Sequence, residues 1–116
     1  VIFQEEAVRM LMSTKEILGY TILATDGAIG EVSDFLVDEG FKLRYLVIDT
    51  GKWLPGKKVA LSTAWISSVD PHKQLVVMNI ERKRIEEGPE YSEEHVLDRE
   101  YETLLHAHYQ YPPYWL

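Results

Sequence analysis

The chain has 116 residues with 12 basic and 19 acidic side chains, a formal net charge of −7, and no cysteine. That length suits one domain with a core of its own, burying about two-thirds of the surface its unfolded chain exposes. Disulfides, thiolate metal sites and cysteine nucleophiles are excluded, and the acidic balance opposes a nonspecific grip on nucleic acid, which needs clustered positive charge. No apolar run approaches the roughly 20 residues that span a bilayer, and VIFQEEAVRMLMS shows no basic leader followed by an apolar stretch, so no signal peptide is expected. Because the chain starts at Val1 rather than Met, a fragment or a processed product is expected, and the lack of cysteine suits a cytoplasmic setting.

In chain order, the first signal is Ser13-x-x-Glu16, a capping-box pattern followed by Ile17, Leu18 and Gly19, which predicts one short helical turn. From Gly19 the period changes to 2, and Asp26-Gly27 between two strand-like runs is a hairpin signal with a type I′ turn. EVSDFLVD follows, then a turn at Glu39-Gly40-Phe41-Lys42, then LRYLVIDT. That last run is apolar on both faces, with Tyr45 and Val47 on one side and Leu46 and Ile48 on the other, as in a barrel wall with something packed outside it. KKVALS, TAWISSVD and KQLVVMNI complete six strand-like runs joined by short links, which argues an antiparallel meander closed or nearly closed into a small barrel.

Beyond Glu81 the sequence is charged and irregular, with one helical turn stopped at Gly88-Pro89. A helix is predicted from about Asp98, its N-cap, to Tyr109, with Leu97, Tyr101, Leu104, Leu105 and His108 as the apolar stripe. Four of the 7 tyrosines (Tyr101, Tyr109, Tyr111, Tyr114) and Trp115 lie beyond residue 100, so the tail is expected to be docked rather than free.

The run GYTILATDGAIGEVSDFLVD, LRYLVIDTGKWLPGKKVALS, WISSVD, QLVVMNI resembles the PRC-barrel domain, shared by the cytoplasmic portion of the photosynthetic reaction-centre H subunit and the ribosome maturation factor RimM. Asp26-Gly27, the Gly30-x-Val32-x-Asp34 step and RYLVIDTG carry the likeness, over about residues 13 to 80. The resemblance implies a small, partly open β-barrel used as a docking or assembly module, with no common catalytic residue. The tail is similar to that of uncharacterised bacterial PRC-barrel proteins. The expected layout is a barrel domain at 13–80, a C-terminal extension at 81–116 docked on the barrel or a partner chain, and a partly ordered N-terminal segment at 1–12.

Residue by residue, little specifies an enzyme. Asp34 and Asp38 share a strand face, but about 13 Å separates their Cα atoms. Asp34 and Asp49 are expected to bond turn backbone, and Asp26 is expected to serve its own hairpin. His72 is expected to be solvated. His95, Glu102 and His106 are the best metal or acid–base candidates, since Glu102 and His106 at i, i+4 share a helix face while His106 and His108 diverge. There is no HExxH pattern, and Ser13, Ser62, Ser67, Ser68 and Ser92 lack the GxSxG context of an activated serine.

The favoured expectation is a non-catalytic assembly or adaptor module without cofactor or metal, acting as a homodimer through protein contacts. Its anchors are Trp53, Leu54, Tyr111, Pro112, Pro113, Tyr114 and Trp115, with Asp26, Gly27, Gly30 and Asp34 as structural turn residues. The alternatives are a small-ligand or metal-binding protein built on His95, Glu102 and His106, and an RNA- or ribosome-associated factor suggested by RimM kinship and Arg82-Lys83-Arg84.

Overall fold

All six strand-like runs are strands. A computed structural model describes residues 12–51, 57–93 and 98–116. Its elements are α1 (Thr14–Ile17), β1 (Thr21–Ala24), β2 (Gly27–Val37), β3 (Leu43–Asp49), β4 (Lys58–Ser62), a 3₁₀ turn (Thr63–Trp65), β5 (Ile66–Asp70), β6 (Leu75–Met78), α2 (Arg82–Glu86) and α3 (Arg99–Tyr109). The strands form one sheet in the order β4-β3-β2-β1-β6-β5.

Four of the five ladders are antiparallel, but β1 and β6 pair in parallel, Thr21 opposite Leu75. The cause is the link between β4 and β5. These strands stand at opposite ends of the sheet order, yet only the three residues of the 3₁₀ turn join them. Four backbone steps span at most about 14 Å, so the sheet must roll until its two edges approach. The turn bends the chain without reversing it, as a strand does when it rounds a corner, and the β5–β6 hairpin then delivers β6 parallel to β1. Among the described residues no ladder joins β4 to β5, so the barrel is partly open, as expected for this fold class. The outer edge of β4 is instead met by the segment after α2, where Tyr91 N–H donates to the Lys58 carbonyl (2.8 Å) and Val59 bridges Glu90.

The roll encloses Ile22, Ile29, Leu46, Ile48, Val59, Leu61, Val76 and Met78, all fully buried. Ile17 of α1, Ile85 of α2 and Leu105 of α3 join the same core. The run Tyr45–Ile48 is buried at four consecutive positions, so β3 is covered on both faces, as its sequence predicted.

The turn residues act differently from expectation. The β1–β2 loop is Thr25-Asp26, because Ala24 pairs with Gly27, and only Gly27 takes a positive φ (139°). A type I′ turn at Asp26-Gly27 is therefore not formed. Asp26 does not serve its own hairpin: its Oδ1 accepts the Arg82 N–H at the start of α2 (2.9 Å). Gly30 is no turn residue either. It lies within β2, where a Cβ would overlap Ile48 Cγ2 and stand 2.9 Å from the Asp49 carbonyl oxygen. Its missing side chain lets two strands close on each other. Asp34 sits at a bulge in β2 and accepts the N–H of Phe35 (2.8 Å). Asp49 accepts the Gly51 N–H, as its position suggested (2.8 Å).

Candidate functional site

The C-terminal helix brings the chemistry to the barrel. Asp98 caps α3 by accepting the Tyr101 N–H (2.8 Å), and Gln110 ends it in the left-handed conformation. The buried face of α3 carries Glu102, Leu105, His106 and Tyr109. This differs from the stripe read off hydropathy by about one position: Leu104 is 58 % exposed, while Glu102 and His106 are only 5 % and 4 % exposed. A buried carboxylate and imidazole need partners, and β3 supplies one for both. The Tyr45 hydroxyl donates to Glu102 Oε2 (2.7 Å) and lies 2.9 Å from His106 Nε2.

The proton inventory fixes the direction of this chain. Tyr45 has one hydroxyl proton and Glu102 takes it, so His106 Nε2 carries the proton that reaches the Tyr45 oxygen. His106 Nδ1 is buried and makes no hydrogen bond of normal geometry among the described residues. Burial holds His106 below the ordinary imidazole value, opposed by the carbonyls of Tyr111 and Pro112 and by Glu102. Burial, followed by the Glu102 carboxylate, pushes the Tyr45 hydroxyl up, so it is a hydrogen-bond donor and no base or nucleophile at neutral pH.

Trp65, at the end of the 3₁₀ turn, is the shelf on which the tail rests. Its ring stacks on Tyr111 (5.1 Å, 20°), tilts against Tyr109 (4.9 Å) and meets His106 edge-on (5.3 Å). Two arginines hold the last residues. The Arg44 guanidinium, paired with Asp38 (2.7 Å), lies 3.7 Å from the centre of the Tyr114 ring. Arg99 lies 4.0 Å from that of Trp115. Such cation–π contacts contribute about 0.5–2 kcal/mol each, depending on desolvation. The Arg44 guanidinium beside Asp38 also holds that carboxyl below the usual range.

A groove of about 820 Å³ opens above this joint, lined by Leu36, Val37, Tyr91, Arg99 and Tyr114, with Tyr45 and Glu102 also on its wall. The groove lies between the β2–β3 turn and the start of α3. At that turn Val37 is 59 % and Phe41 89 % exposed, and Phe41 has a positive φ (63°).

Of the residues singled out in the sequence, Trp53, Leu54 and His95 lie outside the described residues. The structure places Tyr111, Tyr114 and Trp115 together on Trp65, His106 and the two arginines, in the same chain. Pro112 is exposed and Pro113 half-buried between them. Glu102 and His106 do share a face, and His108 diverges to the Arg84 carbonyl (2.7 Å). His72 is exposed, as expected for a turn residue. Among the described residues no group of three or more His, Cys, Asp or Glu could hold a metal. Sequence reading missed Tyr45 as a polar partner and Trp65 as a shelf. The available signals were a phenol inside an aliphatic strand, which needs a bonding partner when buried, and an indole set into a three-residue link.

A family model of the PRC-barrel domain matches residues 11–85. The chain belongs to the PRC-barrel family. No curated protein matches it. PRC-barrel domains are generally non-catalytic small domains with an interaction or adaptor role. The match covers the rolled sheet and all of α2 but its last residue, so in this PRC barrel the Tyr45–Glu102–His106 joint links a residue inside the match to two beyond it. None of the described helices is long and apolar enough to cross a membrane.

The joint carries a pH dependence. Tyr45, Tyr101 and Tyr109 are held above the value of 10 that a free tyrosine has, each chiefly by burial. A group whose pKa is raised by folding favours the native state below its unfolded pKa and loses that contribution as pH climbs towards the folded value. Stability is therefore expected to hold up to about pH 10 and to fall above it. In a urea titration series from neutral to alkaline pH, tyrosinate absorbance from these three rings should emerge with unfolding and not before it.

Proposed function

We propose that this PRC barrel is a non-catalytic docking module that works as a homodimer, with the rim of the groove as its contact face. The observation that carries this reading is the β2–β3 turn, where Phe41 is almost fully in solvent and whose neighbouring residues Val37, Asp38, Glu39 and Gly40 line the groove. A phenylalanine at positive φ is an uncommon choice, and here it gains no burial in return. Exposed apolar groups beside a recess are what buried interface anchors look like before the partner arrives. The adaptor role of the family supports the same reading. Trp53 and Leu54 remain proposed anchors, whereas the tail aromatics are already engaged on their own barrel.

Sedimentation equilibrium tests this directly. The wild-type chain is expected to dimerise at roughly tens of micromolar, and Phe41→Ser to shift it to monomer with its thermal midpoint unchanged. A wild-type monomer at that concentration rejects the homodimer. A dimer untouched by both Phe41→Ser and Trp53→Ala rejects the proposed face. The alternatives draw less support. Glu102 and His106 are engaged by Tyr45, and the Arg84 guanidinium donates to Gln110 (3.2 Å).

A further inference from the structure

The β2–β3 turn is held more firmly than an exposed loop requires. Phe41 N–H donates to the Asp38 carbonyl (2.9 Å), and Asp38 N–H donates to that of Lys42 (2.9 Å). Asp38 Oδ1 accepts the N–H groups of Gly40 (2.8 Å) and Lys42 (3.1 Å), while Oδ2 accepts from Arg44 Nε (2.7 Å). These bonds keep Phe41 at positive φ with the residue 89 % exposed, so the turn is organised before any partner arrives. Two residues earlier, Glu39 is exposed and makes no ion pair among the described residues. The turn therefore displays a carboxylate and an aromatic ring in a fixed relation.

The groove beside it has the complementary chemistry. Leu36, Tyr91 and Tyr114 give its wall apolar and aromatic surface, and Arg99 adds a cation. Two of the carboxylates on that wall are already engaged, Asp38 by Arg44 and Glu102 by Tyr45. Arg99 is 55 % exposed, and its acidic neighbour in the chain is that same Glu102, at 3.6 Å. Glu39 and Arg99 both border the groove yet do not pair within the chain, and Phe41 lies outside its own groove wall. We propose that the groove receives the Glu39-Gly40-Phe41 turn of a second copy, with Phe41 seated against Leu36, Tyr91 and Tyr114 and Glu39 paired with Arg99. This contact rests on the homodimer proposed above and names what each copy inserts. Turn and groove belong to one face, so a single two-fold axis seats both turns at once and closes the dimer. A ring placed in the pocket supplies the anchor, and the ion pair fixes which way round the turn enters.

Sedimentation equilibrium of charge-reversed chains tests the pairing. Glu39→Arg alone and Arg99→Glu alone set like charges against each other across the axis, and each is expected to weaken self-association roughly tenfold or more. In an equimolar mixture of the two, opposite charges meet again at both contacts, so a heterodimer of near wild-type affinity is expected. Arg99→Glu puts a carboxylate in the first turn of α3, where the helix dipole favours it. A second measurement leaves both groups in place and decides the question even if that variant does not fold. An unlabelled Lys42→Cys chain carrying a nitroxide, mixed with isotope-labelled wild-type protein, is expected to broaden the amide resonances of Tyr91 and Arg99. The sequence has no cysteine of its own, so the label has one place to go. A dimer that Phe41→Ser breaks but neither charge reversal weakens rejects the turn-in-groove contact and leaves the homodimer standing, as do amides that stay sharp in a dimeric sample. A wild-type monomer rejects both. A monomer that binds a capped peptide of residues 38–42 gives the groove to a different chain bearing such a segment, and overturns the second copy.

Discussion

Trp65→Ala is expected to destabilise the protein by about 3–5 kcal/mol, the cost of truncating a buried tryptophan. The side chain is 5 % exposed and lies under His106, Tyr109 and Tyr111 together. Its removal leaves a void that three other rings line, and rings fixed to a helix and a proline-bearing tail collapse poorly into it. Urea unfolding of the variant would measure the loss, with a thermal midpoint roughly 3–6 °C lower for each kcal/mol. The tail should also become a protease target, because its docked position depends on that indole. A loss under about 1 kcal/mol, with the tail still protected, would show that the tail is held elsewhere.

Tyr45→Phe is expected to be nearly as damaging, although it deletes a single oxygen. That oxygen satisfies both Glu102 and His106. Without it, a buried carboxylate oxygen and a buried N–H are left unpaired, at about 1–3 kcal/mol each and more for a charged group. Replacing both ends tells this apart from lost packing. Tyr45→Phe combined with Glu102→Leu should cost clearly less than the two single changes summed, with a coupling of about 1 kcal/mol or more. Simple additivity would mean that the hydroxyl and the carboxylate do not depend on each other.

The strands were legible in the sequence because their signal is local. Each run of alternating or doubly apolar residues sits between turn residues, and β3 declared its two covered faces through four successive apolar side chains. The cap at Asp98 and the helix end at Tyr109 were legible for the same reason. What was not legible depended on pairing between distant segments. The parallel β1–β6 ladder follows from the bend at Thr63–Trp65, and no residue in β1 or β6 announces it. The buried face of α3 was misplaced because hydropathy assigns Glu102 and His106 to solvent, and only Tyr45, 57 residues from Glu102, reverses that assignment. Trp53, expected as an anchor, lies outside the described residues, while Trp65, set into a three-residue link, proved to be the residue that the tail covers.

The parallel pairing of β1 with β6 also sets the order in which the barrel can assemble. β1 lies in the interior of the sheet, yet one of its neighbours is made of Leu75–Val77, more than fifty residues further along the chain. Local hairpins such as β1–β2 and β5–β6 can form early, but they become one sheet only when a long loop closes, at an entropic cost incurred before most of the core is gathered. Neither half of the barrel therefore has a complete sheet to fold around. A nascent chain must expose the inner face of the β1–β2 hairpin until β6 has emerged, which makes assembly of the barrel a single late event.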